Sequence, residues 1–210
     1  MKKLTILISM FFLLFAGTQS FAQLEFNDMN CSTLMLREGL VLVYGVNYNG
    51  TEYDFIMTIK ELSETRIEYS YRMTNAYATN GNIIMSEDAL LNATSHYNYF
   101  SGGTVELTDM TSVWMSKKVF DELTGELGKT TISVDGGKTQ VELNAIEVGY
   151  DFSLYNDISK KQFDNIGYFY AETEDQQIKY WVHYSEQNPI ILKMDLGWQI
   201  CLKEIRDSEE

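Results

Sequence analysis

Apolar and polar positions alternate with a period of two along most of the chain. In residues 65–73, Ile67, Tyr69, Tyr71 and Met73 fall on one side and Arg66, Glu68, Ser70 and Arg72 on the other, the pattern of a strand with one buried face. Tyr53, Phe55, Met57 and Ile59 alternate in the same way with Glu52, Asp54 and Lys60, and Val141, Leu143 and Ala145 with Gln140, Glu142 and Asn144. Residues 40–48 form a nearly unbroken apolar and aromatic run, which predicts a strand covered on both faces.

Turn signals punctuate these runs. Asn49-Gly50 separates the first two, and Asn-Gly favours a two-residue hairpin because both central positions want φ > 0. Asn80-Gly81, Gly102-Gly103, Gly136-Gly137 and Gly197 predict further turns. The C-terminal third reads as a meander of strands at 167–173, 178–184, 189–194 and 198–205, antiparallel because the connections are short. Two segments break the alternation. Ser86-Glu87-Asp88 leads into Ala89, Leu90, Leu91 and Ala93, an N-cap with acids in the first helical turn. Residues 116–123, with Val119, Phe120 and Leu123 at helical spacing, predict a second short helix.

The expected fold is all-β and mostly antiparallel: a curved sheet, half-barrel or barrel of about ten strands with one or two short helices. A two-layer sandwich is the alternative. No linker, charge block or repeat divides the chain, so residues 23–210 read as a single β-rich domain. Residues 1–22 read as a signal peptide. Lys2 and Lys3 precede the apolar stretch 4–16, and Ser20 and Ala22 carry the small residues that cleavage before Gln23 requires. The apolar stretch is shorter than a membrane span. These features predict a bacterial periplasmic or secreted protein without stable membrane insertion once the leader is removed.

Composition narrows the function classes. Among 210 residues, 45% are hydrophobic, and 30 acids outnumber 16 bases for a net charge of −14. Such acidity argues against a nucleic-acid partner, which demands a basic surface. Loss of residues 1–22 removes two lysines and no acid, deepening the charge to −16. In an oxidising compartment the only two cysteines, Cys31 and Cys201, invite a disulfide between the chain's ends, which would contribute roughly 4 to 5 kcal/mol in the chain-entropy model. Two buried free thiols are the alternative. Strand alternation puts Cys201 with Gln199 and Lys203, away from the core side of Trp198, Ile200 and Leu202.

Candidate chemistry is sparse. His96 and His183 are the only histidines and no zinc-ligand spacing accompanies them, so no metal is expected. His183 alternates onto the face of Lys179 and Trp181, which predicts an exposed or groove-lining imidazole. Asp135-Gly136-Gly137-Lys138-Thr139 lacks the first glycine and the helix of a phosphate loop and reads as a hairpin turn. Glu172, Glu174 and Asp175 are close in sequence, but no calcium-loop spacing surrounds them, and an acidic solvated surface explains them. No catalytic residue and no cofactor are expected. The remaining feature is aromatic: 14 Tyr, 11 Phe and 3 Trp exceed what a small core usually requires. Most should pack the core. Trp181, His183, Tyr168 and Tyr170 are the candidates for lining a ligand site.

The stretch Trp181-Val182-His183, then Asn188-Pro189-Ile190-Ile191-Leu192-Lys193-Met194, then Gly197-Trp198 and Leu202-Lys203-Glu204-Ile205 resembles the ending of a family of uncharacterised exported β-rich proteins of Gram-negative bacteria. Leu36-Arg37-Glu38-Gly39 at the entry to the first strand is similar as well. The resemblance implies a curved antiparallel sheet, as in periplasmic carriers of lipid-like cargo, and no catalytic residues. The expected function is non-catalytic binding of a hydrophobic or envelope-derived ligand. The alternative is a structural or protein-interaction component of the envelope without a small-molecule site.

Overall fold

The computed structural model describes residues 34–208. The leader 1–22 and Cys31 lie outside the described residues. The strands are β1 (Leu40–Tyr48), β2 (Thr51–Leu62), β3 (Arg66–Met73), β4 (Asn80–Ser86), β5 (Ser95–His96), β6 (Gly103–Leu107), β7 (Met110–Thr111), β8 (Lys129–Val134), β9 (Thr139–Asn156), β10 (Lys161–Glu172), β11 (Lys179–His183), β12 (Ile191–Asp195) and β13 (Gln199–Asp207). The helices are α1 (Glu87–Asn92) and α2 (Lys117–Thr124). All strands join one sheet in the order β6-β4-β3-β2-β1-β13-β12-β11-β10-β9-β8-β5-β7. The fold is therefore β-rich, as the alternation predicts.

The sheet curves until the end of β9 meets β13, where Tyr155 and Asn156 pair in parallel with Glu204 and Ile205. This closes five strands into a ring, too slight a closure to make the molecule a barrel. Local signals placed several elements. Asn49 and Gly50 adopt φ 50° and 77° in the β1–β2 hairpin, and Ser86 and Ser116 cap their helices by accepting from Ala89 N and Val119 N at 3.3 and 3.2 Å. Both faces of β1 are buried. Leu40, Leu42 and Tyr44 join the main core, while Val41 and Val43 cluster with Ile56 on the other side.

The structure corrects two turn predictions. Asn80-Gly81 and Gly103 lie in strands, because β4 and β6 pair in parallel with Gly81 opposite Gly103. A Cβ on Gly81 would sit 2.2 Å from the Gly103 carbonyl oxygen, so glycine here permits close approach of two backbones. The connection between them spans α1 and β5, a crossover of the length that parallel pairing needs.

Candidate functional site

The β10–β11 hairpin brings the four sequence-selected residues together. Tyr168 stands opposite His183 and Tyr170 opposite Trp181, because the short turn after Glu172 fixes the register. By alternation they lie across the sheet from Phe169, Ala171, Tyr180 and Val182 of the main core; Tyr170 and Trp181 are half-buried, whereas Tyr168 is buried and joins the core cluster. Adjacent ladders extend one row across seven strands: Glu147, Tyr170, Trp181, Lys193, Cys201, Gly45 and Asp54.

This row is occupied by its own side chains. The Trp181 ring lies between Tyr170 on β10, with centroids 4.7 Å apart, and Lys193 on β12, whose Nζ sits 4.4 Å from the ring centroid. Tyr170 donates its hydroxyl to Glu172, and burial, reinforced by that carboxylate, raises the Tyr170 pKa. Tyr168 covers Gly149, where a Cβ would come within 2.3 Å of the ring, and donates to Asp151 Oδ1 at 2.7 Å. Lys203 reaches over Gly45 to Asp54 Oδ1 at 2.6 Å. Cys201 is half-buried on this face, flanked by buried Ile200 and Leu202 as the alternation predicts, and burial pushes the pKa of its reduced thiol up.

His183 departs from its expected exposure. It is 4% exposed, because the register to β12 slips between Trp181 and Val182 and the following loop folds back over the ring. Its Nδ1 lies 3.3 Å from the Asn188 carbonyl oxygen, and burial lowers its pKa. His96 is 5% exposed and packs edge-on against Tyr180 at 6.0 Å. Burial lowers its pKa to about 4. Among the described residues no cluster of His, Cys, Asp or Glu has the makings of a metal site.

The large aromatic side chains fill the interior. Trp114, Tyr44, Tyr69, Tyr180, Phe55 and Phe169 are all fully buried. A cleft of about 350 Å³ opens elsewhere, between the β2–β3 turn, α1, the start of α2 and the loop after β11. This lies near the lower end of small-molecule sites, roughly 300 to 1,000 Å³. Ile67, Trp114, Met115 and Pro189 form its buried floor, with Leu90 and the 40% exposed Leu91 on the α1 side.

Backbone bonds make the cleft walls rigid. Met115 N donates to Pro189 O and Ile191 N to Val113 O, both at 2.8 to 2.9 Å, tying the loop to the strand-like segment before α2. The β2–β3 turn is locked by Ser63 N to Arg66 O at 2.9 Å and Arg66 N to Ser63 Oγ at 3.1 Å. On the rim, Lys117 pairs with both Asp121 and Glu186, and the lysine holds the Glu186 carboxyl below its usual pKa. Arg66 is taken by Glu61 and Glu68, so Glu64 beside it has no cationic partner among the described residues. Sequence reading missed this site because its walls come from four separated segments. The one local signal was Leu91, an apolar residue beside the polar Asn92 on a helix with a single buried position.

No family model, no curated protein and no solved structure matches this chain.

Proposed function

We propose that the protein is an exported, non-catalytic binder of a hydrophobic, envelope-derived ligand, and that the ligand occupies the cleft beside α1 rather than the Tyr168, Tyr170, Trp181 and His183 face. The carrying observation is the cleft itself: a concave, mostly apolar space that no other described side chain fills, ringed by charge. Concave sites of this composition favour ligands with an apolar body and a polar end. The reading includes export through residues 1–22 and a Cys31–Cys201 bridge, for which non-reducing mass spectrometry should find one cross-link and no alkylatable thiol.

The decisive experiment is native mass spectrometry of protein recovered from the periplasm or medium without detergent. A bound lipid-like mass is expected, and Leu91→Gln should reduce its occupancy. An empty spectrum from every preparation would overturn this reading. The filled aromatic interior favours, as the second reading, an interaction component of the envelope without a small-molecule site, and the empty spectrum is its expected result.

A further inference from the structure

The chemistry of the cleft rim selects among amphiphiles. Building on the cleft as the ligand site, we propose that its ligand is a single-chain amphiphile with a cationic, amine-bearing head group. The floor of Ile67, Leu90, Leu91, Trp114, Met115 and Pro189 takes the chain, and the rim sets the charge of the head.

Glu64 and Glu186 both line the cleft, whereas Lys117 is the only lining base among the described residues. That lysine is already shared by Asp121 at 3.2 Å and Glu186, so one positive charge faces three carboxylates. Arg66, the nearest base in sequence to Glu64, is held by Glu61 and Glu68 at 2.9 and 2.8 Å. Glu87 adds to the same sign, because it precedes Leu90 and Leu91 by three and four residues and shares their helical face. An anionic head placed here would meet repulsion from the rim and from a chain whose net charge is −16 once residues 1–22 are removed. A cationic head would meet Glu64 without first breaking an ion pair.

The test uses the full protein purified without detergent and three probes with the same dodecyl chain, each below its micelle concentration: dodecyltrimethylammonium, dodecyl maltoside and dodecyl sulfate. Isothermal titration calorimetry should rank them in that order, with the cationic probe ahead of the anionic one by about tenfold or more. Glu64→Gln should weaken the cationic probe by roughly fivefold and leave the maltoside unchanged, and 0.5 M salt should shrink the difference. Leu91→Gln, which keeps the charge, should weaken all three.

The outcomes separate the two claims. Equal affinities, or preference for the sulfate, overturn the cationic head group while the cleft remains the chain site. Absence of binding by all three probes, or binding indifferent to Leu91→Gln, overturns the cleft reading itself. Glu64 is exposed and makes no ion pair among the described residues, so Glu64→Gln should not disturb folding, and a matching circular dichroism spectrum checks this.

Discussion

The aromatic row on β10 to β12 and the cleft beside α1 both place large apolar side chains at the molecular surface, and they use them oppositely. In the row each ring has an intramolecular partner: Tyr170 and Lys193 flank Trp181, and Tyr168 lies over Gly149. In the cleft, Leu90 and Leu91 face space that no other described side chain fills. Abundant aromatic residues therefore mark strand packing in this protein. The binding potential lies where apolar groups lack neighbours, because only there does a ligand gain contact without displacing one.

The largest test of this contrast is within the cleft, floor against lip. Trp114 is 1% exposed and stacks on Tyr69 with centroids 6.1 Å apart, so Trp114→Ala should cost about 3 to 5 kcal/mol in urea unfolding. Leu91→Gln should change stability by no more than about 0.5 kcal/mol. Comparable losses would mean that Leu91 is core and the cleft is not an open site.

Acid should act on the sheet side of the comparison, since both buried histidines belong there, His183 on β11 and His96 against Tyr180 of β11. Above pH 6.5 His96 is neutral in both states. As pH falls through 6.5 the unfolded chain binds a proton that the folded chain refuses until about pH 4, so stability drops across that interval by about 3 kcal/mol. His183, shifted the same way, adds to the slope. Urea midpoints measured from pH 7 to pH 4 should fall accordingly, and His96→Gln should flatten much of that fall. An unchanged slope in the variant would remove His96 as its source.

What the sequence disclosed divides along the same line, between local and distant determinants. The Asn49-Gly50 hairpin, the Ser86 cap and the short helix within 116–123 were legible because each depends on a few adjacent residues. The meander that brings Tyr168 to His183 and Tyr170 to Trp181 was legible from its short turns. Asn80-Gly81 shows the limit. The same dipeptide that turns at 49–50 extends at 80–81, because its partner Gly103 arrives only after α1 and β5. His183 was misplaced since alternation assumes an unbroken ladder, and the slip after Trp181 interrupts it. The cleft depends on residues from 63–67, 90–91, 114–117 and 186–189 meeting in space, a condition that periodicity does not encode.

A smaller effect tests whether the row is as tightly self-packed as its contacts indicate. A methyl added at Gly149 would meet the Tyr168 ring at 2.3 Å. That ring is also held by Asp151 and by Phe152 at 6.5 Å. Gly149→Ala should therefore cost about 1 to 3 kcal/mol by overpacking. In the Tyr168→Ala background the same change should cost almost nothing, so the two substitutions should be strongly non-additive. Additive costs would show that the ring swings aside freely and that this face is looser than the cleft walls.

The smallest expected effect concerns what holds Trp181. Lys193 lies over its ring at 4.4 Å, and a half-exposed contact of this kind contributes about 0.5 to 1 kcal/mol. Part of that is the packing of the lysine stem, which persists in Lys193→Met. The charge component is then the loss in Lys193→Met relative to the parent chain, and the further loss in Lys193→Ala is the packing component. If Lys193→Met is as stable as the parent, packing alone closes the row. If it loses most of what Lys193→Ala loses, the ammonium group is the closing element. The indole face is then already satisfied by a cation from its own chain, which is the physical reason a cationic ligand should prefer Glu64 of the cleft, which has no ion pair among the described residues, to Trp181.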